Sequence, residues 1–195
     1  MATLSLYCAS VVLVSVASAS DAPDTFGQRG NWGVLLARED VRAEIKLSER
    51  QQKQLDERLA AAQLLAAQKD QDIEETVRDA VAKLLAADQL PRLRQISWQA
   101  AEGYALLDDV VAKELKFTDK QREALAEARA ANAAKHAEMK DFLARARFRS
   151  AEAMQAYIEE YRSAASGRLL AVLTVEQTAQ LKELCGKPFE FKKSA

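Results

Sequence analysis

Between residues 49 and 86 the apolar side chains Leu55, Leu59, Ala62, Ala66, Ile73, Val77, Val81 and Leu84 return at three- and four-residue steps. This is the period of a helix with one buried face. Leu55 and Ile73 stand 18 residues apart, five turns at about 3.6 residues per turn, so the phase is kept throughout. The pattern predicts one helix over 49–86, with Lys53, Glu57, Lys69, Asp72, Glu75 and Asp79 on a solvated face. A second stripe runs through Leu125, Ala128, Asn132, His136, Met139, Leu143, Ser150, Met154, Tyr157, Ile158 and Tyr161. It predicts one helix over 119–165, kinked near Ser150. Shorter helices are expected over 39–46, 90–102, 105–116 and 175–185. Glycine and proline, both helix breakers, do not occur between Gly33 and Pro91 or between Gly103 and Gly167, and Gly186 and Pro188 close the last helix.

Three of these helices are launched by one local chemistry. Leu47, Ser48 and Gln51, then Phe117, Thr118 and Gln121, then Leu173, Thr174 and Gln177, each set an apolar residue before a hydroxyl residue with glutamine three positions further on. That is the spacing of a capping box, in which the hydroxyl accepts from the backbone N–H three residues on and the glutamine reaches back to the cap residue's own N–H. The surroundings repeat as well. A shift of 70 residues matches Gly33 with Gly103, Leu36 with Leu106, Val41 with Val111, Lys46 with Lys116, Gln51 with Gln121 and Leu55 with Leu125. A shift of 88 matches Leu85 with Leu173, Gln89 with Gln177 and Leu93 with Leu181, which makes residues 85–89 a decayed fourth copy with Ala86 in place of the hydroxyl. The two shifts differ by 18 residues, again a whole number of turns, as a lengthened hairpin requires. The fold class expected is all-α: elongated antiparallel helical hairpins, internally duplicated, with two long helices plus shorter ones. The expected organisation is a signal peptide over 1–19, a flexible linker over 20–38 holding Pro23, Gly27, Gly30 and Gly33, a first helical repeat over 39–104, a second, longer one over 105–189, and a tail over 190–195.

The signal peptide is read from an uncharged apolar run over 4–19 that ends in Ala17, Ser18 and Ala19, the small-x-small pattern of signal cleavage. Its apolar core is shorter than the roughly 20 residues a bilayer span needs, so no stable membrane span is expected after cleavage. Removal of Cys8 leaves Cys185 alone, open to a bond between two chains in a homodimer or to burial as a small apolar residue. A repeated Leu-Thr-x-x-Gln opening helices in an exported, alanine-rich chain resembles the LTxxQ-motif family, which includes Spy-like periplasmic chaperones and metal-responsive envelope proteins. Leu173, Thr174 and Gln177 carry the motif in full, while Ser48 and Phe117 are conservative replacements in the other two copies. The resemblance implies a periplasmic or secreted protein without enzymatic mechanism or cofactor, binding unfolded or envelope proteins over a helical surface; the chain departs from the family in being longer and duplicated, as a separate branch.

Charge and chemistry narrow the classes further. Lys plus Arg (28) nearly balances Asp plus Glu (29), which gives no reason to expect a nucleic-acid partner. The chain has one histidine, which argues against the usual acid–base and triad chemistries. Adjacent carboxylates such as Asp108 with Asp109 or Glu159 with Glu160 diverge on a helix. His136 and Met139, one turn apart, form a candidate metal pair, set against packing in the core. Phe142, Arg145, Arg147, Phe148 and Arg149 form the most basic short patch and the candidate client-binding surface. Trp98 and Tyr104 flank Gly103 and are expected in the core, and Phe189 and Phe191 are expected to pack on a neighbouring helix. The function these features point to is an ATP-independent binding protein of Spy-like type. A metal sensor or buffer using His136 and Met139, or a structural envelope protein, is the alternative.

Overall fold

The computed structural model describes residues 30–69 and 73–192; the expected signal peptide lies outside the described residues. The fold is all-α. In chain order come α1 (Trp32–Leu36), α2 (Glu39–Glu44), α3 (Glu49–Lys69), α4 (Ile73–Ala82), α5 (Gln89–Ala101), a 3-10 turn (Glu102–Leu107), α6 (Asp109–Glu114), α7 (Asp119–Arg145), α8 (Ala151–Leu170) and α9 (Val175–Cys185), with no strand among the described residues. Two apolar cores form. One gathers Trp32, Leu35, Leu36, Val41, Leu55, Val77, Val81, Leu93 and Ile96. The other gathers Trp98, Tyr104, Leu106, Val111, Phe117, Leu125, Met139, Leu169 and Leu181. Helix α5 separates them, giving Leu93, Ile96 and Ala100 to the first and Trp98 to the second.

Both long helices expected from the stripes are hairpins instead. The first divides into α3 and α4, which run antiparallel: Gln51 Nε2 donates to the Leu84 carbonyl at 3.2 Å and Arg58 to that of Ala80 at 3.3 Å. A single helix of that length would carry much of its apolar stripe away from the core. Folding back instead buries Leu55, Val77 and Val81 together, each at most 5% exposed. The second divides into α7 and α8, and the kink expected near Ser150 is a full reversal. Ala146 leaves α7 in an extended conformation, and Ser150, also extended, caps α8 by accepting from Ala153 N–H at 3.2 Å. No glycine or proline makes this turn; a serine cap and polar flanks suffice. Gly167, a boundary in the sequence pattern, lies inside α8, and a Cβ there would have nothing within 4 Å of it.

The expected linker is corrected in its described part. Asn31 caps α1 through its side chain, and Trp32, Leu35 and Leu36 are buried at 3%, 2% and 0% exposure. Three buried apolar residues in five outweigh the local glycines. Gly30 itself needs to be small, because a Cβ there would lie 2.8 Å from both the Ala101 Cβ and the Ser97 carbonyl oxygen.

The helix starts are paired. Thr118 with Gln121 and Thr174 with Gln177 form complete capping boxes, and Ser48 with Gln51 makes the same two bonds at 3.3 and 3.0 Å. Over residues 85–89, Gln89 Oε1 accepts from Ala86 N–H at 2.8 Å without a hydroxyl partner. Each glutamine then uses its amide end on another start. Gln51 Nε2 donates to Gln89 Oε1 (2.7 Å), while Gln89 Nε2 donates to Gln51 Oε1 (3.3 Å) and the Lys46 carbonyl (3.1 Å). Gln121 Nε2 donates to Gln177 Oε1 (2.6 Å) and the Val172 carbonyl (3.1 Å), while Gln177 Nε2 donates to Gln121 Oε1 (3.2 Å) and the Leu115 carbonyl (2.9 Å). The four starts thus close the bases of the two hairpins as two crossed pairs.

Residues after α9 cross to the first half. The Arg92 guanidinium and Gln99 amide donate to the Lys187 carbonyl, Gln99 Oε1 accepts from Phe189 N–H at 2.7 Å, and Phe189 packs on the first core. Arg38 lies over the Phe191 ring at 5.3 Å, and its guanidinium donates to the Lys192 carbonyl. Phe189 thus packs as expected, whereas Phe191 is 38% exposed and lies against Arg38 and the Phe189 ring.

Candidate binding surface

Thr118 and Gln121 start α7, whose 27 residues reach about 40 Å at 1.5 Å per residue. The far end carries the patch singled out from sequence. At the reversal, Phe142, Phe148 and Tyr157 form an aromatic trio. Phe142 meets Phe148 edge-on at 6.0 Å and 88°, and its ring lies 5.0 Å from Tyr157, with Phe148 5.9 Å from Tyr157. These separations are those of favourable ring pairs. Phe142 is 47% exposed and Met154, on the first turn of α8, 40%. Arg145, Arg147 and Arg149 are exposed around them. Arg145 pairs with Asp141 at 3.4 Å, both side chains being three-quarters exposed or more, so the pair contributes little. Arg147 and Arg149 make no ion pair among the described residues. The tip is therefore an aromatic ledge with a positive rim.

The sequence pattern places Tyr157 and Met154 on a core stripe. Tyr157 does pack against the second core while Met154 is exposed at the tip, and folding the chain back at 146–150 is what sets residue 157 beside residue 142.

A polar seam holds this arm to the body. Asn132, 1% exposed, donates through Nδ2 to the Ala165 carbonyl (3.0 Å) and Tyr104 hydroxyl (3.2 Å), and its Oδ1 accepts from Arg168 Nε at 2.6 Å. Tyr161 donates its hydroxyl to the Asn132 carbonyl at 3.2 Å. Arg162, 8% exposed, sits between Glu102 at 2.7 Å and Glu159. Burial would lower its pKa, but the bonds to Glu159 and Glu102 overcome that and raise it. Asn132 and Arg162 are thus both matched, so the seam positions the arm without stranding either buried side chain. Among the described residues, Arg168 Nη2 is the one buried side-chain nitrogen of this seam without a partner.

The other candidates fall elsewhere. Met139 is 6% exposed within the second core and His136, one turn away, is half-buried. Among the described residues no three His, Cys, Asp or Glu side chains gather as a metal ion needs. Cys185 is half-buried against the second core, and burial pushes its thiol pKa up, which keeps it protonated and unreactive at neutral pH. Trp98 and Tyr104 are buried in the second core at 8% and 6% exposure. Among the described residues no helix is long and apolar enough to cross a membrane. Compared with known proteins, the chain matches no family model, no curated protein and no solved structure.

Proposed function

We propose that this chain is a non-enzymatic helical binding protein, exported to the periplasm or beyond the cell, that holds unfolded or envelope proteins without ATP. The observation that carries this reading is the aromatic ledge of Phe142, Phe148 and Tyr157, rimmed by Arg145, Arg147 and Arg149 at the end of a braced arm. A ledge of this kind takes apolar segments, and its rim attracts acidic ones. The LTxxQ resemblance of the helix starts supports the same reading. The two crossed glutamine pairs support an internal duplication, because the same contact closes each half.

The test is suppression of aggregation of heat-denatured citrate synthase by the purified protein without nucleotide. Suppression near equimolar ratio is expected, with most of it lost in Phe142→Ser/Phe148→Ser, whose changes lie outside both cores. No suppression at several-fold molar excess, or full suppression by the tip variant, overturns the reading.

A further inference from the structure

Along the 70-residue correspondence, the first half holds a side-chain bridge whose counterpart the second half lacks. In the first half, the Arg42 guanidinium donates to the Leu36 carbonyl at 2.5 Å and to Asp56 Oδ1 at 2.6 Å, and the Arg42 side chain is only 17% exposed. This bridge lies across the space between α1, α2 and α3. Seventy residues on, Leu36, Arg42 and Asp56 correspond to Leu106, Ala112 and Ala126. All three line a groove of about 610 Å³ between the 3-10 turn, α6 and α7. The second half lacks the bridge because both of its ends have become methyl groups. The floor is apolar: Leu106, Phe117 and Leu125 stand at 1%, 3% and 6% exposure, and Leu107 at the lip is 39% exposed.

The same comparison shows charge gained at the rim. Gln52 and Leu59 of the first half correspond to Arg122 and Arg129, which both line the groove. They stand seven residues apart on α7, two turns, or about 10 Å along the axis. Arg129 makes no ion pair among the described residues. Arg122 reaches Asp119 only at 3.6 Å, with side chains 60% and 99% exposed, a pair worth little. One carboxylate, Asp109, also lines the groove, against two guanidiniums. The groove is open along α7 rather than enclosed, which suits an elongated occupant.

We propose that this groove binds an acidic amphipathic helix of a partner protein. The partner's leucine-type side chains fill the space that Arg42 and Asp56 occupy in the first half. Two of its carboxylates, spaced two turns apart, meet Arg122 and Arg129. Helix-in-groove recognition reads such i, i+3, i+4 and i+7 anchors. The site lies apart from the aromatic ledge and does not depend on the reading given to that surface.

The probe is a fluorescein-labelled helical peptide of about 18 residues (five turns), with leucine at i, i+3, i+4 and i+7 and glutamate flanking them, followed by fluorescence anisotropy. Saturable binding is expected, weakened about tenfold or more (roughly 1.4 kcal/mol per decade) in Ala112→Arg/Ala126→Asp, which rebuilds the first-half bridge. The exposed pair Arg122→Glu/Arg129→Glu should weaken it at least as much, and it keeps the test decisive if the filled variant misfolds. A peptide with lysine for glutamate should bind correspondingly weakly, and Phe142→Ser/Phe148→Ser should bind like the unaltered protein. Absence of saturable binding, equal binding by the lysine peptide, or equal binding by folded Ala112→Arg/Ala126→Asp overturns the proposal. Dodecanoate binding that the filled variant abolishes, with no peptide binding, would assign the groove to small amphiphiles and equally overturn it.

Discussion

Gln121 has two ends with different work. Its carbonyl accepts from Thr118 N–H, and its amide donates to Gln177 Oε1 and the Val172 carbonyl. Only the first of these is legible in the sequence, because a capping box is a matter of spacing within one segment. The second depends on which helix starts face each other, and no local pattern states that. A pointer exists: a box uses only the glutamine oxygen, so two amide hydrogens remain to be matched. Replacing Gln121 by Ala should cost about 1–3 kcal/mol, the range for stranding buried hydrogen-bonding groups, read by urea unfolding. A double-mutant cycle with Gln177→Ala should show coupling of about 0.5–3 kcal/mol; strictly additive losses would mean that each residue only caps its own helix.

At the scale of elements, the stripes mark many of the residues that face a core, though Ser150 and Met154 of the second stripe are exposed, but not how many helices carry them. Leu55, Val77 and Val81 are all buried as their period requires. A phase kept across a reversal looks the same on paper as one kept along a rod. The absence of glycine and proline suggests continuity, whereas Ser150 ends the run by capping a new helix. The two glycines of this region separate the effects of packing and propensity. Gly103 donates its N–H to Ser166 Oγ at 2.9 Å, and a Cβ there would overlap the Ser166 carbonyl oxygen. Gly103→Ala should therefore destabilise by about 1–3 kcal/mol, as overpacking does. Gly167→Ala, exposed in the last turn of α8 with open space around it, should stabilise by about 0.5–1 kcal/mol. Thermal melts of both should move in opposite directions; a shared direction would refute the assigned surroundings.

On the scale of the whole molecule, the halves are joined through α5 and by the crossing of residues 187–192. Asp40 anchors that crossing, accepting from the Arg38 guanidinium at 2.7 and 3.0 Å and from Lys192 N–H at 2.9 Å. The Arg38 bond first, then the backbone bonds from Lys192 and Val41, hold its pKa down at about 2, against an ordinary 3.8. A carboxylate depressed on folding contributes stability that is full above its unfolded pKa and lost as pH falls through the folded one. The crossing should therefore loosen between about pH 4 and pH 2. Amide exchange at Lys192, compared with that in α7, should rise over this window, and Asp40→Asn should lose the dependence. Constant protection from pH 4 to pH 2 would show that the carboxylate does not hold this segment.

The same crossing sets an order of assembly during synthesis. Residues 30–101 leave the ribosome first, yet Phe189 is part of the cover of their core, and the carbonyls that Arg38 and Arg92 bind belong to Lys192 and Lys187. The half made first is thus the half finished last. Its apolar surface stays partly uncovered while about 90 further residues are added, several seconds at ordinary translation rates. A chain stalled before residue 187 would hold a closed second hairpin beside an unsealed first core.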